Sequence, residues 1–207
     1  GQTIEDIMKV IGITGGVGSG KSALLHAIAE TYRCRMLLAD DIANFLKEPG
    51  QSCYAPLVAL LGSGILDEEG YMDKKKMSDM IFSNEALLEI VNDIVHPAAK
   101  AYIWKCIGEE REKKQVDFVF VEAALFIEAG YRDMVDSLWY IYADKEVRID
   151  RLQQGRGYTL DKIYSIMDKQ LEEEAFRAAC DVVIDNSGSL EETMRQVRRN
   201  LGSDEIM

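Results

Sequence analysis

Residues 15–22 read Gly15-Gly16-Val17-Gly18-Ser19-Gly20-Lys21-Ser22, a complete G-x-x-x-x-G-K-[ST] pattern. The flanks agree with it. Residues 9–13, Lys-Val-Ile-Gly-Ile, form a short apolar run that fits a buried strand, and residues 23–29 continue as a helix. Glycines let the backbone curl so that successive N–H groups point at phosphate oxygens, and the following helix adds its positive N-terminal end. Lys21 then reaches the β- and γ-phosphates, and the Ser22 hydroxyl is placed to ligate Mg²⁺. A Gly-rich turn that merely joined strand to helix would need neither the lysine nor these flanks. The chain is expected to hold a nucleoside triphosphate through Gly16, Val17, Gly18, Ser19, Gly20, Lys21, Ser22 and Ala23.

The bulk properties narrow the setting. A chain of 207 residues with 47% hydrophobic composition suits one α/β domain with a small insertion. The formal net charge of −12 argues against general nucleic-acid binding, which needs a basic footprint. It leaves room for anionic small ligands, because a loop of N–H groups with a few Lys or Arg dominates locally. The most apolar stretch, residues 116–131, is broken by Asp117, Glu122 and Glu128, so no membrane span is expected. Residues 1–9 lack the apolar core of a secretory leader. Cys34, Cys53, Cys106 and Cys180 follow no metal spacing and read as free thiols, which suits a reduced cytoplasm. The oligomeric state stays open.

Five segments read as strands: 9–14, 35–39, 117–122, 137–142 and 181–184. Helical patterns alternate with them, so a mainly parallel sheet is expected. Phe118-Val119-Phe120-Val121 is the continuous apolar run of a strand buried on both faces. Residues 50–114 are too many for one crossover helix and read as a helical insertion beside the sheet. Asp73 is placed to cap a helix over 74–82, and Ser83 or Asn84 one over 85–94. Pro97 fits the first turn of a further helix that runs to about residue 114. Residues 155–159, Gly-Arg-Gly-Tyr-Thr, break one helix and start another, which makes a candidate lid.

Several charged residues are candidates for chemistry. The second strand runs into Asp40-Asp41 at its carboxyl end, where ligands sit in an open parallel sheet. A carboxylate there accepts a proton from an attacking hydroxyl, or caps the helix over 42–47. Two adjacent aspartates allow both, with Asp40 catalytic and Asp41 capping. Glu122 ends the third strand and either holds Mg²⁺ through water or is a solvated strand-end charge. Glu128 serves the acceptor or makes a local hydrogen bond. Arg151 and Arg156 flank the lid, where guanidinium groups stabilise a transferring phosphoryl group. Arg148 also fits plain solvation, as does the Lys74-Lys75-Lys76 run, whose other reading is attraction of acceptor phosphates. His96-Pro97 reads as a structural helix start, and His26 as bland.

Taken together, Ile13–Ser22, Ala39-Asp40-Asp41-Ile42-Ala43, His96-Pro97, the run from Glu122 to Glu128 and the run from Cys180 to Gly188 resemble the dephospho-coenzyme A kinase family over nearly the whole chain. The loop is generic; the ordered set is specific. The resemblance implies an α/β P-loop fold of the nucleoside-monophosphate-kinase type, with a parallel five-stranded sheet, a helical insertion and a lid. It implies a nucleotide-binding core over residues 1–49 and 115–207, a lid at about 151–175, and an acceptor domain over 50–114. It further implies Mg²⁺-dependent transfer of the ATP γ-phosphoryl group to the ribose 3′-hydroxyl of dephospho-CoA. Asp40 matches the general base, Lys21 and Ser22 the loop lysine and metal ligand, and Arg156 a lid arginine. Arg151 and Asn186 fall on the ATP side, with Asn186 at the adenine pocket. His96 and Glu128 join Asp40 on the acceptor side, and Glu122 joins Ser22 at the metal. The chain departs from the family pattern at Leu38, where many members have Asp, at Ala124, where many have Pro, and at Ile166, four residues before Gln170, where many have Arg.

Two rivals remain. Another small-molecule P-loop kinase would differ in residues 50–114, and an insertion shaped for a nucleoside monophosphate would be short and Arg-rich. A GTP-dependent switch would need more than Asp67-Glu68-Glu69-Gly70, which formally matches D-x-x-G but reads as a turn; the guanine-reading N-K-x-D pattern is absent.

Overall fold

The apolar runs of the sequence become a five-stranded sheet in the computed structural model, which describes residues 7–168 and 173–202. The strands are β1 (Lys9–Gly15), β2 (Cys34–Leu38), β3 (Phe118–Glu122), β4 (Ser137–Tyr142) and β5 (Val182–Asp185), in the order β2-β3-β1-β4-β5. All five expected strands are present, each within one residue of its expected bounds. β1 pairs in parallel with β3, setting Ile13 opposite Glu122, and with β4, setting Gly15 opposite Ile141; β4 pairs in parallel with β5. The chain leaves β1 first to one side of the sheet and later to the other. That reversal opens a crevice at the carboxyl end of β1, where α/β sheets bind ligands.

Two compact units divide the chain. The first is Gly1–Met36 with Glu110–Met207. It contains α1 (Lys21–Thr31) and, later in the chain, α6 (Lys145–Arg156), α7 (Leu160–Asp168), α8 (Glu173–Ala179) and α9 (Leu190–Leu201). Its core is continuous through Val10, Ile13, Val119, Phe120, Val121, Leu138, Ile141 and Ile184, all buried together with Leu24 and Ile28 of α1 and Val197 of α9. Phe120 meets Trp139 edge-on, and Tyr140 stacks on Phe176 with ring centroids 5.1 Å apart.

The second unit is Leu37–Glu109 and is helical: α2 (Ala39–Leu46), α3 (Tyr54–Leu61), α4 (Lys74–Ile81) and most of α5 (Glu85–Lys113). The sequence places the insertion at 50–114; the compact unit begins earlier because α2 packs with these helices, Phe45 lying 5.8 Å from the Tyr102 ring. The Asp73 carboxylate caps α4 by accepting from the N–H groups of Lys75 and Lys76, as the sequence predicts. Of Ser83 and Asn84, the cap of α5 is Asn84, whose side chain accepts from Leu87 N–H at 3.0 Å, while Ser83 takes a left-handed φ of 65°.

One expectation fails here. The sequence gives two helices separated at His96-Pro97, but α5 is a single 29-residue helix with Pro97 inside it. Val91, Val95, Ala99, Ile103 and Ile107 recur at four-residue spacing and are all buried. Burying each large apolar side chain contributes about 1.5–3 kcal/mol, so the stripe outweighs the roughly 3 kcal/mol that an interior proline costs.

Candidate active site

The phosphate loop is held open by two glycines. Gly18 has φ 78° and Gly20 φ 84°, a left-handed conformation that other residues adopt only at a cost. Gly20 is also the N-cap of α1, and no side chain caps that helix end. The first-turn N–H groups of Lys21, Ser22 and Ala23 therefore face outward as an anion site. Gly20 has a second constraint: a Cβ there would run into the Asn186 amide and lie 3.2 Å from Arg151 Nη1.

Those two residues strap the loop from behind. Arg151 donates from Nη1 to the Ser19 carbonyl at 3.1 Å and from Nη2 to the Asn186 carbonyl at 2.6 Å. Asn186 donates from Nδ2 to the Ser19 carbonyl at 2.7 Å and accepts from the Thr193 hydroxyl at 2.6 Å. Thr193 is fully buried. The Asn186 amide is thus committed to protein at both ends, and the residue is 6% exposed, so any contact to an adenine base falls to its other atoms. The sequence gives no sign of Thr193, because its role lies in a turn-spanning bond rather than a motif.

Lys21 sits at the mouth. Its ammonium group lies 3.2 Å from Glu122 Oε1 and 3.2 Å from the Gly15 carbonyl, and the two side chains of the pair are only 14% and 15% exposed. β3 delivers Glu122 there because its last residue sits opposite Ile13 of β1. Two buried polar atoms beside the loop, Ser19 Oγ and Arg148 Nε, have no hydrogen-bond partner. Unpaired buried donors are costly, so both atoms stand out beside the loop. Arg148, read as a solvated charge from its spacing, is therefore better placed than the sequence suggests. At the end of β4, Tyr142 donates to Asp144 Oδ1 at 2.6 Å, and this bond, above all, pushes its phenol up to about 12.

Other expected residues take different positions. Asp40 and Asp41 both lie in the first turn of α2 and are exposed, and Leu38 is the N-cap. The expected capping role of Asp41 is overturned: the helix starts at Ala39, so both carboxylates fall past the cap and act on the helix dipole instead. Arg156 ends α6, exposed, with its guanidinium 5.9 Å from the Tyr158 ring centre. Only one of its flanking glycines leaves the helix: Gly157 is its C-cap at φ 64°, while Gly155 is helical. Within the lid range, residues 169–172, with Gln170, lie outside the described residues. Glu128 is exposed in the turn after β3, and His96 is half-buried on α5. Ser22 is exposed in the first turn of α1. A Mg²⁺ ion takes one or two protein oxygens and fills its shell with phosphate and water, and the Ser22 hydroxyl and Glu122 carboxylate fit that donor set.

Comparison with known proteins adds the remaining information. A family model described as dephospho-CoA kinase matches residues 9–192. A dephospho-CoA kinase of Carboxydothermus hydrogenoformans is 32% identical over 191 residues, covering 92% of each chain. A crystal structure of a Thermus thermophilus protein superposes with a TM-score of 0.77 at 26% identity, over 95% of this chain and 97% of that one. A dephospho-CoA kinase structure from Campylobacter jejuni gives 0.70 at 21% identity, over 97% and 100%.

Proposed function

The chain belongs to the dephospho-CoA kinase family, and from that premise we propose how its residues transfer the γ-phosphoryl group of ATP to the ribose 3′-hydroxyl of dephospho-CoA, giving coenzyme A and ADP. The carrying observation is the Lys21–Glu122 pair at the mouth of a loop that runs into a helix start with no side-chain cap. An incoming triphosphate offers Lys21 a stronger partner than one carboxylate and a carbonyl. Lys21 then bridges the β- and γ-phosphates, and Glu122 is released from the pair, free to orient water. Ser22 and, through water, Glu122 would hold a magnesium ion, which would supply charge neutralisation to the triphosphate. Arg151 and Asn186 act on the nucleotide through the loop they brace, and Arg148 adds a donor beside it.

Asp40 is the base: exposed, at the start of α2 and two residues beyond β2. It takes the proton of the 3′-hydroxyl as the oxygen bonds to the γ-phosphorus, and the bond from that phosphorus to ADP breaks. Arg156 brings its guanidinium to the charge gathering on the transferring group. The helical unit holds the acceptor, with His96 and Glu128 on that side. The four free thiols suit a cytoplasmic setting, and among the described residues no helix is long and apolar enough to cross a membrane.

A coupled ADP-release assay with dephospho-CoA, AMP, adenosine and shikimate as acceptors tests the reading. Dephospho-CoA should exceed the others in kcat/KM by at least tenfold, and Arg156→Lys should lower kcat more than it raises the KM for ATP. A preference for any other acceptor would overturn the assignment.

A further inference from the structure

The long helix α5 has two apolar faces, and only one of them is covered. Val91, Val95, Ala99, Ile103 and Ile107 form its buried face. Leu87, Ile90, Ile94, Pro97, Ala101 and Trp104 lie on the other side of the same helix, centred about 170° away at 100° per residue. Ile90 is 46% exposed and Trp104 40%; Pro97 and Ala101 are exposed, and Leu87 and Ile94 half-buried. A surface helix turns a polar face to water, so an apolar strip of this length on the outer side marks a place where something docks.

The spacing of the strip selects a helix as its partner. Positions 87, 90, 94, 97, 101 and 104 alternate by three and four residues, the a/d repeat with which one helix packs lengthwise on another. The buried face, at four-residue intervals, lacks that repeat. A second copy of α5 matches the strip. A two-fold axis crossing the helix between residues 95 and 96 sets Leu87 of each copy against Trp104 of the other, Ile90 against Ala101 and Ile94 against Pro97. The Ile90 side chain then meets the small Ala101, and the broad indole of Trp104 covers Leu87.

Charge sets the direction. Asp93 and Lys100 flank the strip on one side, at the g positions of the repeat, and Lys105 flanks it on the other, at an e position. The remaining flanking residues, Ala86, Val91, Ala98 and Ile107, are uncharged. Antiparallel copies bring Asp93 of each beside Lys100 of the other, two pairs of opposite charge. Parallel copies would instead bring Lys100 against Lys105 twice, which is repulsive. The strip is about 26 Å long. One helix pair of that length buries less than the roughly 1,600 Å² of a standard interface, so the association is a weak one that depends on concentration.

We infer that the outer face of α5 is a self-association surface, on which a second copy of this chain lays its own α5 antiparallel to form a two-fold dimer. The inference is independent of the kinase reading. Sedimentation equilibrium of the full chain, from micromolar to near-millimolar concentration, tests it. The parent should pass from monomer to dimer. Trp104 emission should move to the blue as it does so, because Trp139, the other tryptophan, is already buried. The Ala101→Glu/Trp104→Glu variant should stay monomeric throughout, with the far-UV dichroism of the parent. Asp93→Lys and Lys100→Glu should each weaken the dimer roughly tenfold, because each turns two attractions into two repulsions. The double variant Asp93→Lys/Lys100→Glu restores opposite charges and should return the dimer constant to within about threefold of the parent. The charge variants leave the apolar strip intact, so their result stands even if the glutamate variant unfolds. A parent that stays monomeric at the highest concentration would overturn the dimer and leave the face to a different protein. A trimer or larger assembly would overturn it too, as would a dimer that survives Ala101→Glu/Trp104→Glu, or a double charge variant no tighter than the single ones.

Discussion

Asp40 and Asp41 are neighbours of the same chemistry in the same first helical turn, so only their directions separate them. Asp40 shares its face with Asn44 and Lys47, whereas Asp41 is turned by about 100° around the helix. Asp40→Asn keeps the shape and loses the ability to take a proton. Its kcat should fall by ~10²-fold or more, with the KM for ATP nearly unchanged. Asp41→Asn loses only a charge favourable to the helix dipole, worth about 0.3–1 kcal/mol of stability, and its kcat should stay within a factor of a few. Steady-state kinetics on both variants checks this, and the reverse ranking would remove Asp40 from the base position. Much of this scale was readable in advance. The loop and the Asp pair are local patterns whose spacing is covalent. The strap behind the loop was not readable, because it joins residues 35 and 167 positions apart, and no window of sequence shows such a pairing.

Elements were legible where one period dominates. The strands of the sheet are short, mostly apolar segments of four to seven residues, each legible to within a residue. α5 was misread because two signals conflict at its middle: His96-Pro97 is a helix-boundary signal, and the apolar stripe from Val91 to Ile107 runs straight through it. Tertiary burial decided the conflict. The same reasoning makes Pro97 a standing cost. Its ring is exposed, so it adds no core packing, while it denies the Asp93 carbonyl an N–H donor. Pro97→Ala should restore that donor and raise stability by about 1–3 kcal/mol, seen as a higher urea midpoint with an unchanged slope. A lower midpoint would mean that the packing around α5 is built on the proline's geometry.

At the scale of the whole chain, net charge and ligand pull in opposite directions. A protein of formal charge −12 binds a triphosphate only because local donors override the global field. The acidic total argues against a nucleic-acid surface, but it does not show where the positive groups collect, since that depends on which helix ends and lysines the fold brings together. Much of the override rests on Lys21, so the affinity of the entire molecule for nucleotide should hang on it. A non-hydrolysable ATP analogue at about 100 times its Kd should stabilise the folded chain by about 2.7 kcal/mol. For a chain of this size that is a rise in melting temperature of roughly 5–11 °C. Losing a charged hydrogen bond to phosphate weakens binding by about 1.5–3 kcal/mol, or ~10–100-fold. At the same analogue concentration Lys21→Ala should therefore show half the shift or less, and its rate of transfer should fall by ~10²–10³-fold or more. The melting point of Lys21→Ala without nucleotide is its own baseline, because the Glu122 carboxylate loses its partner in that variant. A full analogue shift with normal turnover would move the phosphate site away from residues 15–22.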